Sequence, residues 1–590
     1  MKMKLIYMML CVSSVLGLSA CSVDTIDLKA PQETVDEPGT GNETDTGNDI
    51  PPSDIRVELD LTDSQNTLGE MRDMWLVANR ISPTTGGNVR PGLKINTVRM
   101  IGGIKKNENG VNVPDLEFDT AFYDETLGDY VYDFSPLIDR INKIRNRGTD
   151  IHQIVLDQPP WAFQRGYTFI PEGQKDNVNF RENERISIYG NSLPPYDKAE
   201  YAEYIEALMT KLIDEYGKDE VKTWRFRVGS EIETPDHWFG TEADFVEHFA
   251  NTEGAVRKVL PEAIFGVHTR PPSFIYKSGT VTNYKSEVIK SFANAIIEYA
   301  DQNNIRIDFW GISDYPIITS EKTRHPKDKY EELFAQLVEH PKWKDYTVLD
   351  LEEFSIISKI GSGYLITSDT AQADTLLIAM TDELHKKGID QIFQWGQRKA
   401  EHEDFRTKAL ADMAGKVRYP ASLISTGNAN PDDIGVIVAT NSPQTDLDIL
   451  LYNYNPADLE AESTPEILTS IKMDVPVGSV FSYRKRLLSK ENKKFQVFME
   501  EPGADDYLIK NKGSGFNKYG NGSGGVTSNV LTAEGQLAFE QYVFTNTSEW
   551  TDWQQIVTVS AGNGEAGSVM HIESKLPLFS YEKIEVKKLN

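Results

Sequence analysis

The sequence predicts a (β/α)8 barrel followed by one or two antiparallel β-sandwich modules. Between about residues 56 and 415, short apolar strands alternate with amphipathic helices, and polar or aromatic residues gather where the strands end. After about Tyr419 the pattern changes to short strands separated by turns rich in Asn, Pro and Gly. The first pattern is typical of a parallel barrel and the second of a sandwich, so we expect the sandwich region to cover residues 416–590.

The N-terminus predicts export and lipid attachment. Lys2 and Lys4 precede an apolar run that ends at Leu18, and Ser-Ala-Cys21 follows. A basic start, a short apolar core and small residues before the cleavage point are typical of a secretory signal, here residues 1–21. The cysteine at that point is similar to the bacterial lipobox, which implies lipidation of Cys21 and a location in the cell envelope, at the outer membrane or the cell surface. An uncleaved membrane anchor is the alternative, although the run is short for a spanning helix.

Charge and cysteine usage exclude several classes of partner. The formal net charge of −29 argues against nucleic acid. Residues 22–55 contain nine acidic residues, a single Lys and almost no large apolar side chain, so we expect a flexible acidic tether. Both cysteines, Cys11 and Cys21, lie in the leader, which leaves the processed chain without a disulfide. The nine His show no close pair, so we expect neither a cofactor nor a catalytic metal. A structural calcium ion in the sandwich is the open alternative. We also expect a monomer.

Eight strands are predicted in the barrel region. One helix would begin with Ser135 as N-cap and Pro136 in its first turn, a second would cover 196–216, and a third would be capped by Ser368. The carboxyl ends of parallel strands meet at one rim of a barrel, so the residues that follow each strand are candidates for the site. The predicted strands are 74–77, 95–101, 151–156, 222–228, 264–267, 307–312, 347–351 and 389–393.

The C-terminal region is predicted from shorter patterns. A helical insert over 532–542 interrupts the strands, and the glycine-rich stretch 513–525 lacks the strand–helix setting of a phosphate-binding loop. The predicted strands are 435–438, 447–452, 495–499, 555–559 and 584–586.

Two of the barrel strands end in carboxylates. The strand 222–228 runs through Gly229 and Ser230 into Glu231, and the strand 347–351 runs into Glu352 and Glu353. Retaining glycoside hydrolases use one carboxylic acid to protonate the leaving oxygen and one carboxylate, about 5–5.5 Å away, to attack the anomeric carbon. These acids could also be solvated residues of surface loops. Their positions at two strand ends indicate a retaining glycoside hydrolase.

The same strand ends resemble those of the large (β/α)8 glycoside hydrolase clan, especially families 39 and 86. Tyr216–Glu231 resembles the fourth-strand signature of the clan, and Trp395 resembles its eighth strand. Most of the clan has Asn-Glu-Pro at the fourth strand, whereas this chain has Ser230-Glu231-Ile232. This departure, together with the order of leader, barrel and sandwich, favours a resemblance to family 86. That resemblance implies an enzyme that cleaves agarose or porphyran within the polysaccharide chain. The third, sixth and seventh units of the clan also have similar segments in this chain: Leu156-Asp-Gln-Pro-Pro-Trp161, Ile312-Ser-Asp-Tyr315 and Leu351-Glu-Glu-Phe-Ser355, respectively.

The resemblance implies a role for each matching residue. Glu231 would be the general acid/base, and Glu353 the nucleophile, because the clan places its nucleophile directly before an aromatic residue. Glu352 is the competitor, since strand alternation turns one of the two away from the mouth. Glu233 would be a loop or subsite carboxylate. The nucleophile would be contacted by Arg99 and Tyr315, with Ser230 in support, and sugar units by Trp161, Trp238, His268 and Trp395. Alternatively, Arg99 forms a structural ion pair, and Trp161 and Trp395 belong to the core at the top of the barrel.

Two arginines bear on the choice of substrate. Arg165 and Arg270 follow predicted strands at the barrel mouth, where a planar guanidinium would match the sulfate of porphyran. Alternatively both pair with loop acids such as Asp157 or Asp236, which would favour agarose. Arg225 and Arg227 are poor candidates, because alternation within their strand buries them or turns them towards helices. Alternative functions for the protein are those of a β-xylosidase or β-glucanase of the same clan, or of a surface glycan-binding lipoprotein without catalytic activity.

Overall fold

The computed structural model describes residues 51–590 apart from a set of gaps. The predicted strand 495–499 and the glycine-rich stretch lie outside the described residues, as do Ser368 and most of the 532–542 insert. The longer gaps cover 82–93, 98–102, 172–178, 273–290, 319–323, 366–370, 399–408, 457–463, 490–500, 513–526 and 539–548.

Eight parallel strands close into a barrel, in agreement with the pattern of the sequence. The strand order is β4-β5-β6-β7-β8-β1-β2-β3, and β3 returns to pair with β4. β3 and β7 therefore lie on opposite sides of the ring. The strands are β1 (Val77–Ile81), β2 (Lys94–Thr97), β3 (Asp150–Val155), β4 (Arg225–Val228), β5 (Ile264–Thr269), β6 (Phe309–Asp314), β7 (Val348–Phe354) and β8 (Ile392–Arg398).

Helices return the chain between the strands. Within the described residues, a helix lies in each of the six connections that lead from β2 to β8. Asp197 caps the long second helix by accepting the backbone N–H groups of residues 199 and 200, and Thr241 and Asp244 form a capping box on the fourth. The helices are α1 (Ser135–Arg145), α2 (Lys198–Tyr216), α3 (Lys218–Val221), α4 (Glu242–Val259), α5 (Ala293–Asn303), α6 (Pro326–Val338) and α7 (Ala371–Lys386).

Some predicted boundaries are wrong. The predicted first strand, 74–77, mostly precedes β1, because Met74 and Trp75 form a buried turn whose apolar side chains mimic a strand. β8 likewise begins at Ile392, three residues later than predicted. A buried turn and a buried strand have the same composition, so periodicity alone does not separate them. Ser135 is the first residue of α1 and not its N-cap, since Phe134 occupies the cap position.

The C-terminal strands form two sheets around a shared core. The first sheet has the order β9-β11-β12-β18-β14-β15, and the second has the order β10, N-terminal strand, β13, β17, β16. Apolar residues from both sheets contribute to one core, which indicates a single sandwich among the described residues. The strands are β9 (Val417–Tyr419), β10 (Ser422–Ser425), β11 (Ile434–Thr440), β12 (Asp446–Asn453), β13 (Glu466–Met473), β14 (Val480–Leu488), β15 (Gln554–Val557), β16 (Val559–Ser560), β17 (Ser568–Lys575) and β18 (Ser580–Lys588).

The N-terminal strand, Ile55–Asp60, corrects the predicted domain boundary. It pairs parallel to β13 and antiparallel to β10, so the first strand that the structure describes belongs to the sandwich and not to the barrel. Its burial alternates strictly, with Ile55, Val57 and Leu59 in the sandwich core. The parallel pairing also makes this sheet mixed, whereas an antiparallel sandwich was predicted.

A smaller five-stranded sheet links the sandwich to the barrel rim. Its order is Ile317–Ile318, Ile357–Ile360, Gly363–Leu365, Thr527–Leu531 and Leu508–Lys512. The first three strands follow β6 and β7, and the last two lie in the long connection between β14 and β15. The sandwich therefore supplies backbone next to the strands that carry the candidate site.

A buried ion pair joins the barrel to the sandwich. Arg418 of β9 bonds to Asp382 of α7, and both side chains are 1% exposed. The hydroxyl of Tyr452 in β12 donates to the other oxygen of Asp382 at 2.7 Å. Burial would raise the pKa of Asp382, but the charges of Arg418 and Lys386 outweigh it, so this pKa lies below its ordinary value.

No helix in the described part of the chain is long and apolar enough to cross a bilayer.

Asp382→Asn is expected to lower the free energy of unfolding by about 3–5 kcal/mol, because it leaves the buried Arg418 without a countercharge. Since the folded-state pKa of Asp382 is depressed, its stabilisation is present above the unfolded-state pKa of about 3.9 and lost as the pH falls through the folded-state pKa. Thermal unfolding from pH 3 to 7 measures both effects. Glu215→Gln, which breaks an exposed ion pair with Lys211, is the control and should change the midpoint little. Equal midpoints for the two variants would contradict this account.

Candidate active site

The turn after β4 carries Glu231 in a backbone conformation that few residues adopt. Gly229 has φ +90°, and a Cβ added there would lie 2.9 Å from Cγ2 of Ile232 and 3.0 Å from the carbonyl oxygen of His268. Glycine is therefore required at this position. Glu231 itself has φ +47°, in the left-handed region that a residue with a side chain occupies only when its surroundings hold it there.

Hydrogen bonds hold this turn from several sides. The buried guanidinium of Arg227 donates to the carbonyl oxygen of Gly229 and, at 3.1 Å, to Oγ of Ser230. Nδ1 of His237 donates to the carbonyl oxygen of Ser230 at 2.6 Å. Thr234 closes the turn, because its backbone N–H donates to the carbonyl oxygen of Glu231 at 2.7 Å and its hydroxyl to Oε2 of Glu231 at 3.3 Å. The half-buried Glu231 is therefore fixed at the rim.

A β-bulge in β7 decides where the two consecutive glutamates lie. Leu351 is opposite Ile312 of β6 and Glu353 is opposite Ser313, so Glu352 is an extra residue without a partner in the ladder. Strict alternation therefore does not apply to Glu352 and Glu353, and the bulge, rather than the predicted alternation, decides which of the two turns away from the mouth.

Glu352 points into the barrel interior. Its side chain is fully buried, and Oε2 accepts a hydrogen bond of 3.0 Å from Nε2 of Gln153, in β3 on the opposite side of the ring. The same oxygen lies 3.3 Å from Nε of Arg227 in β4. Burial raises the pKa of Glu352, while the charge of Arg227 lowers it in part, and the net shift is upward. Glu352 is thus sequestered beneath the rim.

Glu353 lies beside Tyr315, as the resemblance to the clan implied. The hydroxyl of Tyr315, one residue past β6, donates to Oε2 of Glu353 at 2.8 Å. Glu353 is 3% exposed, and β6 and β7 are neighbours in the barrel. Glu353, the last residue but one of β7, thus contacts the rim residue Tyr315, whereas Glu352 is held in the interior.

The arginines of β4 are structural, which agrees with their exclusion as substrate contacts. Arg225 donates to Asp350 at 2.6 Å and to Asp390 at 2.8 Å. Arg227 is fully buried and engaged with Glu352.

Three predicted sugar contacts lie in the packed upper layer of the barrel. Trp161 is 7% exposed and donates its indole N–H to the carbonyl oxygen of Gly103 at 2.8 Å. Trp238 is 8% exposed, donates to the carbonyl oxygen of Thr241 at 3.2 Å and packs on His248. His268 is fully buried, with Nε2 2.8 Å from Oγ of Ser313. An aromatic residue after a strand has the same sequence pattern whether it stacks on sugar or fills the core.

The two mouth arginines have protein partners. Arg165 lies 3.5 Å from the carboxylate of Glu125, and its guanidinium stacks 3.7 Å from the ring centroid of Tyr123. It therefore pairs with a loop acid, Glu125; of the two acids predicted as partners, Asp236 lies outside the described residues. Arg270 is half-buried, and its backbone N–H donates to Glu233.

Some predicted residues cannot be placed. Arg99 and Cys21 lie outside the described residues, and for Trp395 only the backbone, within β8, is described. Gln153 and His237, which contact the site residues, were missed; nothing in one sequence marks a glutamine within an apolar strand or a histidine six residues past an acid. Among the described side chains, no group of three His, Cys, Asp or Glu could hold a metal ion.

Known proteins resemble both the sequence and the fold. Residues 183–342 match the family described as Glycosyl hydrolases family 39. An alpha-1,4-L-rhamnosidase of Formosa agariphila is 27% identical over 543 residues, which is 90% of this chain and 93% of that protein. A beta-xylosidase of Caldicellulosiruptor saccharolyticus is 29% identical over 128 residues, 22% of this chain and 23% of that protein. The crystal structure of the GH39 enzyme from Xanthomonas axonopodis pv. citri covers 92% of this chain and 99% of its own, with a TM-score of 0.56 and 13% identity.

These matches support a glycoside hydrolase related to family 39. The last of them concerns the fold alone. Family 86, which the Ser230 departure favoured, is not shown by any of them, and neither is an agarase or porphyranase activity. The roles assigned to individual residues of this hydrolase stay predictions.

Tyr315→Phe is expected to lower kcat/KM about 10- to 100-fold, because it removes one hydrogen bond to the charged carboxylate of Glu353. The matched control is Tyr330→Phe. The hydroxyl of Tyr330 donates at 2.8 Å to Asp314, the residue that precedes Tyr315, so this variant also loses a bond from a tyrosine to a carboxylate. Steady-state rates and unfolding midpoints should show similar losses of stability but a large loss of activity only for Tyr315→Phe. Equal activity losses would argue against a special role of Tyr315.

Proposed function

We propose that this protein is a retaining glycoside hydrolase in which Glu353 is the nucleophile and Glu231 the general acid/base. The observation that carries this proposal is a carboxylate at the carboxyl end of each of two barrel strands: Glu231 lies in the turn after β4, and Glu353 is the last residue but one of β7 and accepts a hydrogen bond of 2.8 Å from Tyr315. Both acids are held by other side chains and need little rearrangement before they react.

The reaction follows from these positions in two steps. In the first, a carboxylate oxygen of Glu353 forms a bond to the anomeric carbon, while Glu231 gives its proton to the departing glycosidic oxygen. In the second, Glu231 takes a proton from water, whose oxygen replaces Glu353 at the anomeric carbon. Tyr315 keeps one oxygen of Glu353 engaged, which orients the other oxygen for attack.

The buried pair of Arg227 and Glu352 supports this chemistry without taking part in it. Glu352 lies beneath the rim, and Arg227 extends from it to the turn that carries Glu231. Ser230 therefore acts through its hydrogen bond to Arg227. It takes the position of the clan's asparagine but is 2% exposed, so it is a support for the turn and not a contact to the sugar.

For the substrate, α-1,4-linked L-rhamnosyl glycans are our first candidate, because the relative that matches over 90% of this chain is an alpha-1,4-L-rhamnosidase. β-Xylosides come second, on a match that covers 22% of the chain. The argument for sulfated galactan is weakened, because Arg165, one of its two arginines, lies 3.5 Å from the carboxylate of Glu125 and stacks on Tyr123.

Glu231→Gln is expected to reduce kcat/KM on an unactivated glycoside about 10²–10⁴-fold, the usual contribution of general acid catalysis. Glu353→Gln should cost more, because no bond to the anomeric carbon can form. Azide should restore activity to Glu353→Ala and give a glycosyl azide of inverted configuration, because the ion enters from the face that Glu353 occupied. Glu352→Gln is the control, since it should weaken folding and keep measurable turnover. An inactive Glu352→Gln beside an active Glu353→Gln would reverse the assignment.

A substrate panel tests the choice of glycan. We expect release of L-rhamnose or short oligosaccharides from α-1,4-rhamnosyl glycans, with less product from xylo-oligosaccharides, agarose, porphyran and β-glucan. Product sizing by chromatography also separates endo from exo cleavage. Arg165→Ala should not alter the rate ratio between native and desulfated porphyran; a change in that ratio would revive the sulfated substrate. No product from any glycan, under conditions where the protein is folded, would favour a non-catalytic glycan-binding protein.

We also propose that the chain is exported and lipid-anchored to the cell envelope at Cys21. The motif Leu18-Ser-Ala-Cys21 after a short apolar run supports this proposal. Labelled fatty acid should enter the wild type and not Cys21→Ala, and the processed protein should fractionate with membranes. Absence of label from the wild type would overturn the anchor.

A further inference from the structure

Glu233 lies two residues past Glu231, and its carboxylate joins two loops at the barrel rim. Oε2 accepts the backbone N–H of Arg270 at 2.9 Å, and Oε1 accepts the backbone N–H of Phe292 at 3.2 Å. Arg270 directly follows β5, and Phe292 directly precedes α5. The carboxylate thus ties the turn after β4 to both ends of the connection between β5 and α5.

The burial of Glu233 excludes contact with substrate. Its side chain is 1% exposed, whereas Glu231 is half-buried. Burial raises the pKa of Glu233 to about 7, against the lowering effect of the backbone N–H groups and of Arg270. A carboxylate offers an acceptor on each oxygen, so it matches two backbone donors that point at it from different segments.

The turn that carries Glu231 needs such support. With φ +47° at Glu231, the turn lies in a sparsely populated conformation that the surrounding structure must hold. Arg227 and His237 hold its N-terminal side through Gly229 and Ser230. On its C-terminal side, Glu233 connects it to the neighbouring strand of the barrel.

We propose that Glu233 is a positioning residue for the general acid/base, which it fixes by clamping the turn after β4 to the backbone N–H groups of Arg270 and Phe292. This inference rests on the proposed role of Glu231. It assigns Glu233 an effect on proton transfer to the leaving oxygen and none on the attack by Glu353.

The test compares two glycosides of whichever sugar the wild type releases fastest. One carries a 2,4-dinitrophenyl leaving group, which departs without protonation; the other carries an alkyl leaving group, which needs the acid. Glu233→Gln keeps the size of the side chain but offers one acceptor, and its NH2 group would face a backbone N–H. We expect kcat/KM to fall up to about 100-fold for the alkyl glycoside, the scale of a small misplacement of a catalytic group, and to stay nearly unchanged for the dinitrophenyl glycoside.

The control is Glu582→Gln, which neutralises another buried glutamate, 5% exposed in β18 of the sandwich, whose pKa burial also raises. It should leave both rates unchanged. Glu233→Asp, which keeps the charge but is too short for both N–H groups, should show the same split and serves if Glu233→Gln does not fold. Equal losses on both glycosides, or none on either, would overturn the positioning role. A wild type that hydrolyses neither glycoside would instead count against the proposed function.

Discussion

The buried ion pair between Arg227 and Glu352 is the interaction on which the candidate site depends. Removal of two charges from water costs several kcal/mol per ion, and further hydrogen bonds offset part of that cost. Gln153 donates to Glu352 from the opposite strand, and Arg227 donates to Gly229 and Ser230. The charge pair therefore links the barrel centre to the turn that presents Glu231, and the position of that acid is set by the interior of the barrel.

The bulge in β7 complements this pair. A regular strand would send Glu352 and Glu353 to opposite faces, and one of them would meet the surrounding helices. With one extra residue in the strand, Glu352 remains inside with Arg227 while Glu353 reaches Tyr315. Gly311 of β6 makes room for this arrangement, because a Cβ there would overlap the side chain of Glu352. Two adjacent acids thereby take different roles, one structural and one at the rim.

The sequence was sufficient to predict the strand order, because that order follows from where short apolar runs end in a parallel barrel. The contact between Tyr315 and Glu353 was implied by the resemblance to the clan. The sequence was not sufficient for features set by distant pairings. The strand Ile55–Asp60 has the composition of any edge strand, and only its pairing with β13, some 400 residues away, shows that it belongs to the sandwich. The bulge likewise arises from the register between β6 and β7, which no local pattern encodes.

The substrate is harder to predict than the type of reaction, because it too depends on segments that are distant in sequence. Nucleophile and acid must follow particular strands, so the barrel constrains them; sugar contacts come from loops that any insertion can replace. Trp161 and Trp238 lie in rim loops and His268 lies near the end of β5, yet all three fill the upper core. In the small sheet next to the rim, strands that follow β6 and β7 are joined by Leu508–Lys512 and Thr527–Leu531, which come from the connection between β14 and β15. Residues that select the sugar can therefore lie in the sandwich connection, far in sequence from the strands that carry Glu231 and Glu353.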